Sequence, residues 1–189
     1  YAPNTCVWSS FSDSDAHKCT PFINGVAKRK QLPINQLKNI VDELRHNPNS
    51  RRLVLNAWNP SQINKMALPP CHVLSQFEVS NGRLSCILFQ RSGDIGLGIP
   101  FNIASYSLLT IMLAHCTGLI PHEFIHFIGD AHIYVNHIDA LQEQIKRDPF
   151  QFPNLYVNKE VTDFFKIKYE DLNLSNYRCH DAIKMEMVV

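Results

Sequence analysis

The chain has 189 residues, of which 45% are hydrophobic, and its formal net charge at pH 7 is +1. These values predict one globular domain with a core of ordinary size and a short appendage, and they exclude a global electrostatic attraction to nucleic acid. A membrane span and a signal peptide are not expected, because no apolar run reaches about 20 uninterrupted residues and the first residues lack a basic and an apolar region.

The first residues differ from the rest of the chain. The stretch Ser9–Asp15 is polar without periodicity, and Lys28-Arg29-Lys30 is a short basic run. We predict an irregular segment over residues 1–31 and one domain over residues 32–189. The basic run suggests nucleic-acid binding only weakly, since the net charge of the chain is close to zero.

The first regular element is predicted to be an amphipathic helix. Apolar residues recur at helical spacing from Ile34 to Leu44, and Asn47-Pro48-Asn49-Ser50 ends the pattern. Strands are predicted over residues 53–55, 73–79 and 84–89, and Asn81-Gly82 is the hairpin signal between the last two.

The segment Asn102–Leu119 is apolar on nearly all sides and ends in Gly118, which predicts one long, buried central helix. A further helix is predicted over residues 138–147, between strands at 124–128 and 155–157. Because these elements contain no repeated strand-helix-strand unit, the expected fold class is α+β, a mixed sheet packed by helices.

The six cysteines are scattered and include no C-x-x-C pair, which favours free thiols in a reducing compartment over a zinc site or a disulfide framework. Cys71 follows Pro69-Pro70 and precedes a predicted strand. Prolines supply no ladder donors, so Cys71 is expected at a strand entrance, where a thiol can face a cleft. A buried inert thiol is the ordinary alternative for a single cysteine. That interpretation is retained for Cys86, Cys116 and Cys179.

Arginines near two turns are candidate anion ligands. Arg51 and Arg52 lie between a helix and a strand, while Arg91 and Ser92 precede a Gly-rich segment over residues 96–100, which we interpret as a loop. Guanidinium and hydroxyl groups match the oxygens of a phosphate, so a phosphate site is a hypothesis here. The spacing matches neither a Walker motif nor a dinucleotide fingerprint.

Polar residues in the second half allow two further interpretations. Asn102 stands where the long helix is predicted to begin, so an N-cap is its simplest role. His126, His132 and His137 with Asp130 resemble a set of metal ligands. However, His132 and His137 are five residues apart rather than four, and no glutamate stands beside them to act as a base, so no metal site is expected.

Taken together, seven ordered blocks of the chain resemble the signature set of thymidylate synthases. They are Ser50-Arg51-Arg52, Ala57-Trp58-Asn59-Pro60, Ala67-Leu68-Pro69-Pro70-Cys71-His72, Phe89-Gln90-Arg91-Ser92-Gly93-Asp94, the stretch Leu97–Tyr106, Gly129-Asp130-Ala131-His132-Ile133-Tyr134 and Ile183-Lys184-Met185-Glu186-Met187. The resemblance covers about four-fifths of the chain, from Leu32 onward, and the N-terminal half of the family has no counterpart in it.

This resemblance implies the α+β fold of that family, a homodimer with a shared phosphate site, and a cytoplasmic location that can extend to the nucleus. The implied reaction is the reductive methylation of dUMP to dTMP through a cysteine adduct to the pyrimidine ring. Its co-substrate is 5,10-methylenetetrahydrofolate, and no metal is implied.

The resemblance also implies roles for individual residues. Cys71 resembles the nucleophile, Arg91 and Ser92 the phosphate ligands, and Arg51 and Arg52 a pair that serves the phosphate site of the opposite subunit. Asn102 then reads the uracil ring instead of capping a helix. The other implied substrate-binding residues are Gln90, Asp94, His132 and Tyr134, of which the last two bind the sugar hydroxyl. The residues implied for the folate are Asp94, Leu97, Gly98, Phe101, Met187 and Val189.

An alternative is left open by the sequence. The chain retains the arginine pair but lacks the glutamate and the folate contacts of the N-terminal half of the family. This combination is also compatible with a catalytically impaired fragment. Such a chain, or a non-catalytic partner that joins a complete enzyme in a dimer, would retain nucleotide binding.

Overall fold

The computed structural model describes residues 34–187, so the predicted irregular segment 1–31 and the proposed folate contact Val189 lie outside the described residues. Within this range the α-helices are Gln36–His46 (α1), Gly98–Thr117 (α2) and Ile138–Gln144 (α3). The strands are Val54–Asn56 (β1), His72–Ser80 (β2), Arg83–Asp94 (β3), Ile120–His132 (β4), Asn154–Val157 (β5) and Leu172–Ser175 (β6).

Strands β1 to β4 form one mixed sheet in chain order. β1, β2 and β3 are antiparallel neighbours, whereas β4 runs parallel to β3 after the chain has crossed over through α2. Asn81 and Gly82 have positive φ values of 51° and 74°, as a tight hairpin turn requires, so the predicted hairpin is confirmed. β5 and β6 pair separately. The predicted α+β class is confirmed, with one strand-helix-strand unit inside it.

The core lies between the inner face of the sheet and helices α1 and α2. Along α2, Leu109, Leu113 and Ala114 are 0% exposed, and Gly118 ends the helix in the left-handed conformation at φ 70°. By length and composition α2 is also apolar enough to cross a membrane, a property that core helices of soluble proteins share. The predicted long central helix is confirmed, with its buried stripe facing the sheet and Phe101, near its start, 71% exposed.

The start of α2 corrects two predictions. The helix begins at Gly98, so residues 98–100 form its first turn and the interpretation of this segment as a loop is wrong. Pro100 fits there because the first turn of a helix needs no backbone donors. Asn102 consequently lies in the second turn, and its interpretation as an N-cap is also wrong.

Other elements also differ from the prediction. β3 extends five residues beyond the predicted end at residue 89, and β4 extends four residues beyond each end of the predicted strand 124–128. α3 ends at Gln144, three residues early, because the chain then continues in turns up to Arg147. The strand β6 was not predicted at all. Its four residues alternate between apolar and polar, but so short a run is a weak signal, and its pairing partner β5 begins 18 residues earlier in the chain.

Candidate active site

Cys71 lies immediately before β2 and is partly exposed. Its carbonyl oxygen accepts a hydrogen bond of 2.9 Å from the backbone N–H of Arg91 on β3. The expected position at a strand entrance is therefore confirmed. The neighbouring strand holds the backbone at Cys71 in place while the side chain remains accessible.

The side chain of Arg91 folds back over the two prolines that precede Cys71. Its Nη2 donates to the carbonyl oxygen of Pro69 at 2.7 Å and its Nε to that of Pro70 at 3.1 Å, and Trp58 lies 5.9 Å below the guanidinium. Two of the five guanidinium N–H donors are used in these bonds, and the others remain for an anion.

A chain of hydrogen-bonded side chains leads from this strand to helix α2. Gln90 is 2% exposed, and its Nε2 donates both to the carbonyl oxygen of Ser92 at 2.8 Å and to Oδ1 of Asn102 at 2.9 Å. Oε1 of Gln90 lies 2.9 Å from Nε2 of His126 on β4. The side chain of Asn102 also interacts with His72, the residue after Cys71, and partly opposes the burial that lowers the pKa of this histidine. Neighbouring residues of β2, β3 and α2 thus connect Cys71, Arg91 and Asn102.

Asp94 organises the end of β3 and the start of α2. Oδ1 accepts from the backbone N–H of Gly96, and Oδ2 accepts from those of Leu97 and Gly98, at 3.0 to 3.2 Å. A carboxylate with three such donors is well placed at a helix N-terminus. This interaction explains why the helix starts earlier than the apolar pattern indicated.

His132 and Tyr134 lie beside Asp94 because of the parallel register of β3 and β4. Asp94 pairs with His132, and Ile95 donates to the His132 carbonyl at 2.9 Å. The rings of His132 and Tyr134 are edge to face, with centroids 5.3 Å apart. The structure therefore brings both proposed sugar-binding residues to the same end of the sheet as Asp94.

The C-terminal segment is seated in the same region. His137 is 0% exposed, and its Nε2 lies 2.6 Å from the carbonyl oxygen of Glu186. A side chain at Gly96 would meet Nδ1 of His137 at 2.8 Å and Sδ of Met185 at 3.3 Å, so only glycine fits there. Met187, the proposed folate contact, directly follows Glu186 in the chain and is 48% exposed.

Arg51 and Arg52 lie far from these residues. Both are exposed and precede β1, whose Val54 pairs with Gln76, five residues beyond Cys71. At about 3.3 Å per residue along a strand, the two arginines are roughly 20 Å from Cys71. Within one chain, therefore, the arginine pair and the thiol do not form one site.

The comparison with known proteins decides the family. A family model described as thymidylate synthase matches residues 3–189, nearly the whole chain. The chain belongs to the thymidylate synthase family. This confirms the resemblance drawn from the seven sequence blocks.

Individual thymidylate synthases are similar to the chain over most of its length. The protein from equine herpesvirus 2 is 56% identical over 173 residues, which are 92% of this chain and 60% of that relative. Thymidylate synthase 1/2 of Encephalitozoon cuniculi is 55% identical over 82% of this chain and 53% of its own length, and that of Homo sapiens is 53% identical over 82% and 50%. The chain thus spans about half to three-fifths of the length of these curated relatives.

Three histidines in this region were given no role from the sequence. His126 binds Gln90, His72 interacts with Asn102, and His137 binds the backbone near the C-terminus. No local pattern marks these roles, because each partner is distant in sequence or on another element. Among residues 34–187, no group of three or more His, Cys, Asp or Glu side chains is arranged to hold a metal ion.

We expect the stability of this chain to fall on acidification. Burial lowers the pKa of both His72 and His126 below the ordinary 6.5. The unfolded chain therefore binds more protons than the folded chain as pH falls below that value, and the stabilisation present above it is lost. Urea unfolding should show a lower free energy of unfolding at about pH 5.5 than at about pH 7.5. The substitution His72→Gln should reduce this loss, and a gain in stability on acidification would contradict the assignment.

Proposed function

We propose that the chain catalyses the reductive methylation of dUMP to dTMP, with 5,10-methylenetetrahydrofolate as co-substrate. The observation that carries the proposal is the backbone hydrogen bond between Cys71 and Arg91, together with the hydrogen bond that holds Asn102 on Gln90, the residue before Arg91. These groups supply a nucleophile, a cation and a reader of the base at one strand entrance. Membership of the thymidylate synthase family supports the same reaction.

Cys71 is the proposed nucleophile. Carbon 5 of uracil is a poor nucleophile until a thiolate adds to carbon 6, which moves the electron pair of the ring double bond onto carbon 5 as an enolate. This carbon would then bond the one-carbon unit of the folate and lose its proton. Cleavage of the bond between that unit and the folate nitrogen, followed by hydride transfer from tetrahydrofolate to the unit as the thiolate leaves carbon 6, would give the methyl group of dTMP and dihydrofolate. Arg91 is proposed to support this step by binding the substrate, because its remaining donors match a phosphate.

Asn102 is the proposed reader of the base. Gln90 has both amide hydrogens bound to acceptors, so the atom of Asn102 that faces it must be the oxygen. In this orientation the amide of Asn102 accepts from the ring N–H of uracil and donates to the adjacent carbonyl. Cytosine has the opposite pattern and would need the amide reversed, which would set two donors against each other at Gln90. His132 and Tyr134 are proposed to bind the sugar hydroxyl.

The proposed folate site lies at the start of α2. Phe101 is 71% exposed there and offers an apolar ring to a pterin, next to Leu97 and Gly98. The carboxylate of Asp94 has about four acceptor positions, of which three take backbone donors, so one is left for the pterin. Met187 and Val189 are proposed to close the site from the C-terminal segment.

A homodimer is proposed through the outer face of the sheet. Neighbouring apolar side chains project from this face, including Phe89 opposite Phe127, which are 46% and 57% exposed. Other apolar residues of this face are Val54, Leu74, Ile87 and Ile125. An exposed apolar patch of this kind is typical of a protein interface. In such a dimer, Arg51 and Arg52 of one chain complete the phosphate site of the other.

A complementation experiment tests the shared site. We expect neither Cys71→Ser nor the double variant Arg51→Ala/Arg52→Ala to form dTMP at the normal rate. Random reassortment after mixing equal amounts makes half of the dimers mixed, and each mixed dimer has one intact site of two, so about a quarter of the normal rate should return. Rates that merely average the two separate variants would show that the site is not shared.

Equilibrium binding of dUMP, followed by calorimetry, tests the function at its first step. The folded chain should bind dUMP saturably. The substitution Asn102→Asp should weaken the binding of dUMP and strengthen the binding of dCMP, because a carboxylate accepts from the amino group of cytosine. A folded chain with no saturable dUMP binding would refute the proposed function.

A further inference from the structure

We infer that His126 is a positioning residue for recognition of the base, acting on Asn102 through Gln90. The inference rests on the proposed function in one respect, namely that Asn102 reads uracil. It concerns a residue on β4 to which none of the signature blocks assigns a role.

The donor and the acceptor in each hydrogen bond between His126, Gln90 and Asn102 follow from the chemistry of their atoms. The carbonyl oxygen of Ser92 can only accept, so the atom of Gln90 that lies 2.8 Å from it must be the amide nitrogen. Oε1 of Gln90 is therefore the atom that faces His126 at 2.9 Å, and it too can only accept. Nε2 of His126 must consequently carry the hydrogen and donate.

Burial makes this donor necessary. Gln90 is 2% exposed, so its Oε1 has no access to bulk water if the hydrogen bond from His126 is lost. A buried amide oxygen without a partner is costly, and the side chain then gains by turning toward other donors. Such a turn would move Nε2 away from Oδ1 of Asn102 and free the Asn102 amide to reverse.

The position of His126 is fixed independently of any ligand. It lies on β4 between Phe124 and Ile128 on the face that is turned toward the core, and its ring is 5.2 Å from that of Phe124. The parallel register of β3 and β4 places it two residues from the strand partner of Gln90, which is Ile128. The sheet therefore holds the donor at a constant distance from Gln90.

Two substitutions separate a positioning role from a packing role. In His126→Phe the ring is kept for packing on Phe124 but the donor is lost, whereas in His126→Gln the ring is lost but an N–H donor of similar reach is kept. A matched control is His115→Phe, because His115 is also a part-buried histidine that contacts a backbone oxygen, that of Val161 at 3.0 Å. His115 lies outside the proposed site.

The first readout needs no nucleotide. Nitrogen NMR of the free chain should show His126 in the neutral form with its hydrogen on Nε2, and separate side-chain amide signals for Gln90 and Asn102. We expect both amide signals to move in His126→Phe and to stay close to the original positions in His126→Gln and His115→Phe. Unmoved signals in His126→Phe would overturn the inference, whether or not the chain binds dUMP.

The second readout is the preference for dUMP over dCMP in calorimetric titrations. His126→Phe should lower the ratio of the two affinities about tenfold, as expected for a buried acceptor left without its donor, and His126→Gln should restore most of it. An unchanged ratio in His126→Phe would overturn the inference. If the unaltered chain binds neither nucleotide, the proposed function fails, and the NMR signals alone decide whether His126 orients the two amides.

Discussion

Replacing Leu109 by alanine is expected to destabilise the chain by about 3 kcal/mol. Leu109 is 0% exposed and lies in the stripe of α2 that packs on the sheet, together with Tyr106 and Leu113. Removing its buried methyl groups loses their transfer free energy and leaves a cavity that the rigid sheet cannot collapse to fill. Urea unfolding at pH 7.5 measures the loss.

The matched control for this substitution lies on the same helix. Ile103 is 45% exposed, so Ile103→Ala removes similar atoms at a site where no core is disturbed, and its effect should stay within about 1 kcal/mol. Equal losses for the two variants would show that α2 does not pack on the sheet as described, and the position of Asn102 would then lose its support.

Replacing Cys71 by serine is expected to reduce dTMP formation by at least about three orders of magnitude. The hydroxyl of serine is not ionised near neutral pH, and no base in the described site is placed to activate it, so the addition to carbon 6 of the ring does not occur. Binding of dUMP should change little, because the phosphate and base contacts remain. Mass-spectrometric detection of dTMP from dUMP and 5,10-methylenetetrahydrofolate measures the effect.

The other cysteines of the described residues provide the controls. Burial raises the pKa of Cys86 to about 12 and also raises that of Cys116, so both thiols stay protonated and unreactive at neutral pH. Cys179 is exposed and lines a cleft formed by residues between Gln144 and Met185. Cys179→Ser should therefore retain the full rate, and a loss equal to that of Cys71→Ser would contradict the assignment of the nucleophile.

Much of the fold follows from local sequence patterns. The helical spacing of Ile40, Val41 and Leu44 predicted α1, and Asn81-Gly82 predicted the hairpin, because both signals lie within a few residues of the structure they specify. The start of α2 did not follow in the same way. It depends on a carboxylate, Asp94, that reaches over the backbone of the next turn, and apolar periodicity contains no sign of it.

The site was predictable only in part. Pro69-Pro70-Cys71 indicated a presented thiol from local chemistry, and the structure places it there. The contact between Gln90 and His126 joins residues 36 positions apart and depends on the parallel register of β3 and β4, while the contact between His137 and Glu186 joins residues 49 apart. Such pairings are set by tertiary structure, so no pattern within one element predicts them.

The most direct test of the central proposal is covalent capture of 5-fluoro-dUMP in the presence of 5,10-methylenetetrahydrofolate, read as the intact mass of the chain. Fluorine at carbon 5 cannot leave as a proton does, so the reaction stops at an adduct in which carbon 6 is bonded to Cys71 and carbon 5 to the folate. We predict a single adduct with the combined mass of both compounds, which is absent in Cys71→Ser. A correctly folded chain that gains no mass would contradict the proposal that this site adds a thiolate to the pyrimidine ring.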